Sequence, residues 1–569
     1  MQPLISAMTS LRDLIIAAFK SLTRGKSFIQ ALLAFWISPN VLKECQESND
    51  GSSSSILVQD FLLDVESLLS QPIEPAALLG FSRNLKTQFR QRLWSNRACM
   101  LPSYNYQLPN GVEKGRYLSV DVGGSTLRVA LVELKGLEEG GYEGCSRIIR
   151  IDNFRIDVGI KGLVGRAFFD WMAERILETL NSASEGVDVS KDELNGSLQA
   201  PIPMGLAWSF PIEQTSLKGG LLQNMGKGFL AADGLLGQDL GEIVKQACSG
   251  HSLHVEVAAI INDSSAALLS ESYRRPSTRF GLILGTGFNI AAYMPVTTID
   301  RPKFGVRPDS WFDKASHVIV NTEMGMFGQG FLPMTRWDEQ LKAAHPKPEF
   351  QPLEHFVAGL YIGELARLIM IEAIETTGLF GGVVPPSLVG PYTLETETLS
   401  ILESDESPIL EKALAAFASR HPSSQKPLVS DILALRTISK LVTRRSAAMV
   451  AAALYGLWEL KRETENEYLE PQQNGKSTGV QQFARETKAE LDLGRVVVGF
   501  NGSVIEQYPG YRSNCQVYID ALVKASREQP SQGGDLSHEE GLIELVPAKE
   551  SSLLGAAVAL ACLERGKAN

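Results

Sequence analysis

The sequence predicts an α/β fold built from two related halves, and three observations carry this. Three segments repeat one local pattern, an apolar run of strand length that meets a glycine turn. They are Tyr117-Leu-Ser-Val-Asp121 leading into Val122-Gly-Gly-Ser-Thr126, Phe280-Gly-Leu-Ile-Leu284 into Gly285-Thr-Gly287, and Arg495-Val-Val-Val498 into Gly499-Phe-Asn-Gly-Ser503. Strand patterns alternate with helical ones, such as those at 364–373 and 438–460, which argues for α/β layers. A length of 569 residues exceeds what one ordinary hydrophobic core holds.

From the N-terminus, Leu4, Met8, Leu11, Ile15, Ala18 and Leu22 recur at helical spacing, with Lys20, Arg24 and Lys26 toward their end and then an apolar run from Phe28 to Ile37. The run is too short to cross a bilayer alone, and no small-residue secretory cleavage site follows it. Two readings stay open. One is a basic amphipathic segment that contacts a membrane through residues 1–40 or directs mitochondrial targeting. The other is an extra helix packed on the core. A polar, serine-rich linker occupies 47–55, and three further polar stretches, 183–200, 463–487 and 527–540, read as surface insertions.

Composition excludes several classes. Apolar residues make up 44% and charged residues 21%, ordinary globular proportions. A net charge of −11 disfavours nucleic acid as a partner. The six cysteines, at 45, 99, 145, 248, 515 and 562, show no CxxC or zinc spacing and read as reduced intracellular thiols. The histidines are equally scattered, and His251 and His254 are assigned no metal role.

The glycine turns carry the first chemistry. Successive amides in such a turn form a concave anion site, and two hairpins far apart in sequence could face each other across one polyphosphate. Asp121 ends the first strand, where a carboxylate can hold Mg²⁺ directly or through water. The Gly-Lys-Ser/Thr ending of a P-loop is absent and the turns lead into strands, against both a P-loop and a Rossmann domain. Between the first and second turns lies Gly205-Leu-Ala-Trp-Ser-Phe-Pro-Ile-Glu-Gln-Thr215, running on to Gly226-Lys-Gly-Phe229; Ile261-Asn-Asp-Ser264 follows. A serine, a lysine, an amide and a carboxylate so placed can grip a polyhydroxylated molecule and take a proton from one hydroxyl. Each residue alone also has a plain reading. Asp263 fits an N-cap for a helix starting at Ser264, Lys227 a solvated lysine, and Glu323 and Glu354 surface carboxylates.

Together these segments resemble the eukaryotic hexokinase family of the actin-like ATPase superfamily, over about residues 56–565. The three turns resemble its phosphate-1, phosphate-2 and adenosine motifs. The resemblance implies a two-domain actin-like (ribonuclease H-like) α/β fold with a central interdomain cleft. It puts 56–110 and 264–547 in the large domain and 111–263 with 548–569 in the small one, leaving 1–55 outside. It makes Asp263 the catalytic base, aided by Lys227. It makes Ser209, Lys227, Asn262, Asp263, Asn289, Glu323 and Glu354 the sugar ligands, the last two from Asn321-Thr-Glu-Met-Gly325 and Gln351-Pro-Leu-Glu354. On the nucleotide side it places Asp121, Gly123, Gly124, Ser125, Thr126, Arg128, Ser264, Gly285, Thr286, Gly287, Gly502 and Ser503, with Asp121 on the Mg²⁺ side.

Departures from the family pattern are specific. Gly226 stands where the family has a threonine whose hydroxyl contacts sugar, a loss of up to about tenfold in affinity that Gly226→Thr is expected to restore. Met324 replaces an aromatic. Ser551-Ser-Leu-Leu-Gly-Ala-Ala557 lacks two glycines of the adenosine motif, and Leu553 is expected to crowd the adenosine cleft. These departures suggest a divergent branch such as that of filamentous fungi. The expected activity is ATP- and Mg²⁺-dependent phosphorylation of a hexose (glucose, fructose or mannose) at its 6-hydroxyl, weaker than in a typical hexokinase. The alternative is a non-catalytic sugar-sensing protein on the same fold. The expected location is cytoplasmic, with docking on the outer mitochondrial membrane by analogy with membrane-bound hexokinases.

Overall fold

A computed structural model describes residues 56–181, 201–226, 228–469, 478–527 and 542–568. Val58–Asn569 forms one compact unit. The N-terminal segment through Ser55, with Cys45 and both readings of 1–40, lies outside the described residues, as do Lys227, the whole 183–200 stretch and residues 528–540.

Thirteen strands are described: β1 (Leu101–Pro102), β2 (Gly115–Val122), β3 (Thr126–Leu134), β4 (Ser146–Arg155), β5 (Ile202–Trp208), β6 (Ile212–Gln214), β7 (Gly220–Leu222), β8 (Val255–Ile261), β9 (Thr278–Leu284), β10 (Phe288–Pro295), β11 (His317–Asn321), β12 (Val496–Asn501) and β13 (Ile543–Pro547). One sheet has the order β4-β3-β2-β5-β8 and the other β1-β11-β10-β9-β12-β13, while β6 and β7 form a small hairpin. In the first, β2, β3 and β4 are antiparallel, and β5 and β8 continue parallel to β2. In the second, β9, β10 and β11 are antiparallel, and β12 and β13 continue parallel to β9. Apart from the edge strand β1, the two sheets share one strand order and sense.

The main helices are α1 (Val58–Ser70), α2 (Pro75–Ser95), α3 (Arg166–Asn181), α4 (Leu240–Gly250), α5 (Asp263–Arg274), α6 (Gly359–Thr377), α7 (Val429–Leu469), α8 (Tyr511–Arg527) and α9 (Ser551–Ala568). Successive strand residues point to opposite faces, so each sheet feeds two cores. Phe280, Leu282 and Leu284 join α1, α2, α6, α7 and α8 in the largest cluster. Leu118, Val120 and Val122 join α3 and α4 in the second. The opposite faces, through Tyr117, Ala130, Ala291 and Ile319, meet α5 and α9 in the third. These two helices therefore fill the layer between the sheets, α5 on the six-stranded sheet and α9 on the five-stranded one. Glycine permits the close approach. A Cβ on Gly281 would lie 2.1 Å from the Ser264 carbonyl oxygen, which seats the start of α5 on β9.

The 463–487 stretch is not the insertion its polarity suggests. Residues 463–469 complete the 41-residue α7, and 478–491 forms a further helix. Lys86 and Arg90 of α2 pair with Glu459, Glu463 and Glu467, and Glu490 binds Arg279 and Lys461 in a largely buried cluster. The five described cysteines are buried and unbridged.

Candidate functional site

The site follows from strand direction. β2, β5 and β8 run parallel, with Val122 beside Trp208 and Ala207 beside Ile261. Their C-terminal ends therefore share one edge, the edge where α/β sheets bind ligands. That edge carries the 123–126 turn, Ser209 and Asn262–Asp263, and the Ser209 amide donates to the Val122 carbonyl at 3.2 Å. The second sheet repeats the device. β9 and β12 are parallel, so Gly285–Thr286–Gly287 and Gly502–Ser503 emerge side by side. A Cβ on Gly285 would sit 3.5 Å from both Ser503 N and Oγ.

On the sugar side, Asn262 rather than Asp263 caps α5: its Oδ1 accepts from the Ser265 amide at 2.8 Å. Asp263 is the first helical residue, half-buried, and its Oδ1 accepts from the Ser264 amide at 2.7 Å. The plain capping role thus belongs to its neighbour. Ser264 begins a relay. Asn289 Nδ2 lies 3.4 Å from Ser264 Oγ and donates to Asn321 Oδ1 at 2.8 Å, and Asn321 Nδ2 donates to Glu323 Oε1 at 2.8 Å. The Asn289 oxygen accepts from the Ile290 and Met324 amides, which fixes its amide orientation. Burial raises the Glu323 carboxyl above the usual carboxylate range; the Asn321 bond opposes that shift and the Asp263 charge adds to it. Glu323 itself has a left-handed backbone, φ +51°. Glu354 Oε2 accepts from the Phe288 amide at 2.9 Å, against the 285–287 turn. A cavity of about 240 Å³ lined by Phe331, Leu341, His355 and Phe356 lies off these groups.

On the other side, Asp121 and Arg128 are direct cross-strand partners. Arg128 Nε and Nη2 donate to Asp121 Oδ2 at 2.8 and 2.5 Å, and its Nη1 donates to Glu550 Oε2 at 2.9 Å. Burial pushes the Asp121 carboxyl upward, and Arg128 counters it. The Gly123 amide closes its turn on the Thr126 carbonyl at 3.0 Å, and the Gly285 amide on that of Gly287 at 3.0 Å.

A carboxylate at a helix start beside an amide relay, next to two glycine turns on a duplicated sheet, is a hydroxyl-binding and phosphate-binding arrangement. Comparison with known proteins decides the family. Models described as "Hexokinase" match residues 66–273 and 279–562. Hexokinase-9 of Oryza sativa subsp. japonica is 31% identical over 365 residues, 63% of this chain and 67% of that protein.

The chain belongs to the hexokinase family.

Other family members agree. Hexokinase-2 of the same plant is 29% identical over 465 residues, covering 81% of this chain and 82% of its own. Hexokinase-1 of Arabidopsis thaliana is 25% identical over 467 residues, 81% and 82%. The hexokinase from Schistosoma mansoni, solved in complex with glucose, matches with a TM-score of 0.66 at 24% identity, covering 89% of this chain and all of that one. The fold is thus the two-domain actin-like ATPase fold, and this is a hexokinase-type phosphotransferase.

Two residues bonded to candidate site groups were not legible as such in the sequence. Asn321 was legible as the first residue of its motif but not as the node joining Asn289 to Glu323. Glu550 carried no local signal. One expectation is reversed. Leu553 does not crowd a nucleotide cleft; it is fully buried in the cluster between the sheets.

Proposed function

We propose that this chain transfers the γ-phosphoryl group of ATP to the 6-hydroxyl of a glucose-like hexose, with Asp263 as general base. The observation that carries the reading is the relay Ser264–Asn289–Asn321–Glu323, which begins one residue from Asp263 and ends on a half-buried carboxylate. Polar side chains held in order by one another suit a ligand rich in hydroxyls. Because the Asn262 oxygen is spent on its cap, its amide N–H groups are what it offers a sugar. Glu323 and Glu354 accept from sugar hydroxyls, and Ser209 and Lys227 are further sugar ligands. Glucose in the Schistosoma mansoni structure supports the substrate class.

The amides of the 123–126 and 285–287 turns take the phosphates, with Gly502 and Ser503 toward adenosine. Among the described residues no group of three His, Cys, Asp or Glu side chains could hold a resident metal. One buried carboxylate, Asp121, fits Mg²⁺ that arrives on the nucleotide, since Mg²⁺ typically uses few protein ligands plus substrate phosphates. When bound, Mg²⁺ neutralises phosphate charge. Asp263 draws the proton from the primary hydroxyl as its oxygen attacks phosphorus.

The small domain in this reading is 111–263 with 548–569, supported by α9 packing on the five-stranded sheet. The large domain is 56–110 with 264–547. Gly226 and Met324 support a divergent branch of lower activity; the burial of Leu553 removes one reason to read a non-catalytic protein. The proposed location is the cytoplasm, with residues 1–40 as a membrane-docking segment. No described helix is long and apolar enough to cross a membrane. A coupled assay of ADP release with glucose, fructose and mannose tests the function. Sugar-independent ADP release, or none with any hexose, would sink it.

A further inference from the structure

We propose that Glu550 is a positioning residue for the nucleotide end of the site, fixing the Arg128 guanidinium against Asp121 so that metal-bound ATP is favoured over bare ATP. This rests on reading Asp121, Arg128 and the 123–126 turn as that end. Two independent observations point to Glu550. The first is the divided fork: Arg128 spends Nε and Nη2 on Asp121 and Nη1 on Glu550, at 2.9 Å. The second is backbone. Glu550 has φ +50°, a left-handed conformation that a non-glycine residue adopts at a cost. Such strain persists where the surroundings hold it, typically at functional sites. Glycine would adopt this φ freely, so the backbone conformation itself does not call for a glutamate here.

Charge gives the consequence. Asp121 and Glu550 place two carboxylates on one guanidinium, leaving a net charge of about −1 beside the phosphate turn. That balance repels a bare polyphosphate and suits one carrying a divalent cation. Glu550 also lies directly before α9, and its carbonyl accepts from the Leu554 amide, so the ion pair ties the β2–β3 hairpin to the helix between the sheets.

The test compares wild type with Glu550→Gln and Glu550→Gly. Binding of a non-hydrolysable ATP analogue is titrated with Mg²⁺ and with a chelator, alongside glucose binding, steady-state KM values and thermal stability. Glu550→Gln is expected to weaken the Mg²⁺-bound analogue about three- to tenfold and narrow its advantage over the metal-free form, with glucose affinity unchanged within twofold. Glu550→Gly is expected to show the same nucleotide defect with no loss of thermal stability, because glycine relieves the strain. If both variants keep wild-type preference for the Mg²⁺-bound analogue, or if glucose and nucleotide affinities fall together with stability, Glu550 is merely structural and the inference fails. If wild type itself shows no sugar-dependent ADP release, the underlying reading fails and takes the inference with it.

Discussion

Gly555 of α9 rests directly on Ala266 of α5: a Cβ at Gly555 would lie 2.3 Å from the Ala266 carbonyl oxygen and 2.5 Å from its Cα. The two helices between the sheets are in direct backbone contact here. Neither clashing atom belongs to a side chain that could swing away. Gly555→Ala must push the helices apart, an overpacking cost of about 1–3 kcal/mol or more. A denaturation midpoint clearly below wild type is expected. An unchanged midpoint would mean the helices separate freely, and the layer would be looser than described.

Asp263→Ala is expected to lower sugar-dependent ADP release by about 10²–10⁴, the range for loss of a general base. Glucose binding should survive, because Asn262 holds the α5 cap and the Asn289–Asn321–Glu323 relay does not run through Asp263. Calorimetric titration and a coupled assay on the same preparation check both halves. Equal turnover in mutant and wild type would remove Asp263 from the mechanism.

The strands and turns were legible because a strand buried on both faces is a short apolar run, and a sharp turn needs glycine. Asp121, Ser209 and Asp263 were legible because each ends such a run. What sequence could not supply is partnership across the chain. Glu550 meets Arg128 from 422 positions away, and Glu463 meets Lys86 from 377. So a carboxylate that pairs with Arg128 and a charged stretch that completes a helix both looked like ordinary surface. The cap of α5 was misplaced by one residue because Asn and Asp cap about equally well. Lys227, the N-terminal segment, residues 183–200 and residues 528–540 lie outside the described residues.

Glu323 links pH to stability. Burial raises its pKa above the unfolded value. A carboxyl so shifted favours the folded state fully below the unfolded pKa and loses that contribution as pH rises through the folded one. At neutral pH the half-buried ionised group therefore opposes folding. Glu323→Gln keeps a carbonyl oxygen for Asn321 and removes the charge. It is expected to be more stable than wild type at pH 7, with the advantage shrinking toward pH about 4, near the unfolded value. Glucose affinity should fall. Thermal melts across that range check the sign; a variant less stable than wild type at pH 7 would contradict the assigned burial cost.

The backbone at Gly226 argues against the sequence expectation that threonine there would tighten sugar binding. Its φ is +65°, and among the described residues no atom outside its chain neighbours lies within 4 Å of where a Cβ would stand. Space is free, so the constraint is the backbone. A non-glycine residue in the left-handed region costs about 1–3 kcal/mol, and a β-branched one sits poorly there. The hydroxyl that threonine would bring contributes only about 0.5–1.5 kcal/mol. Strain outweighs the bond, so Gly226→Thr is expected to bind glucose no more tightly than wild type. Asparagine visits this region more readily and still brings a polar side chain. Gly226→Asn should therefore bind glucose several-fold more tightly than Gly226→Thr. Titration of the three proteins with glucose decides it. A threonine variant tighter than wild type would show that the loop holding Gly226 takes another backbone around the sugar.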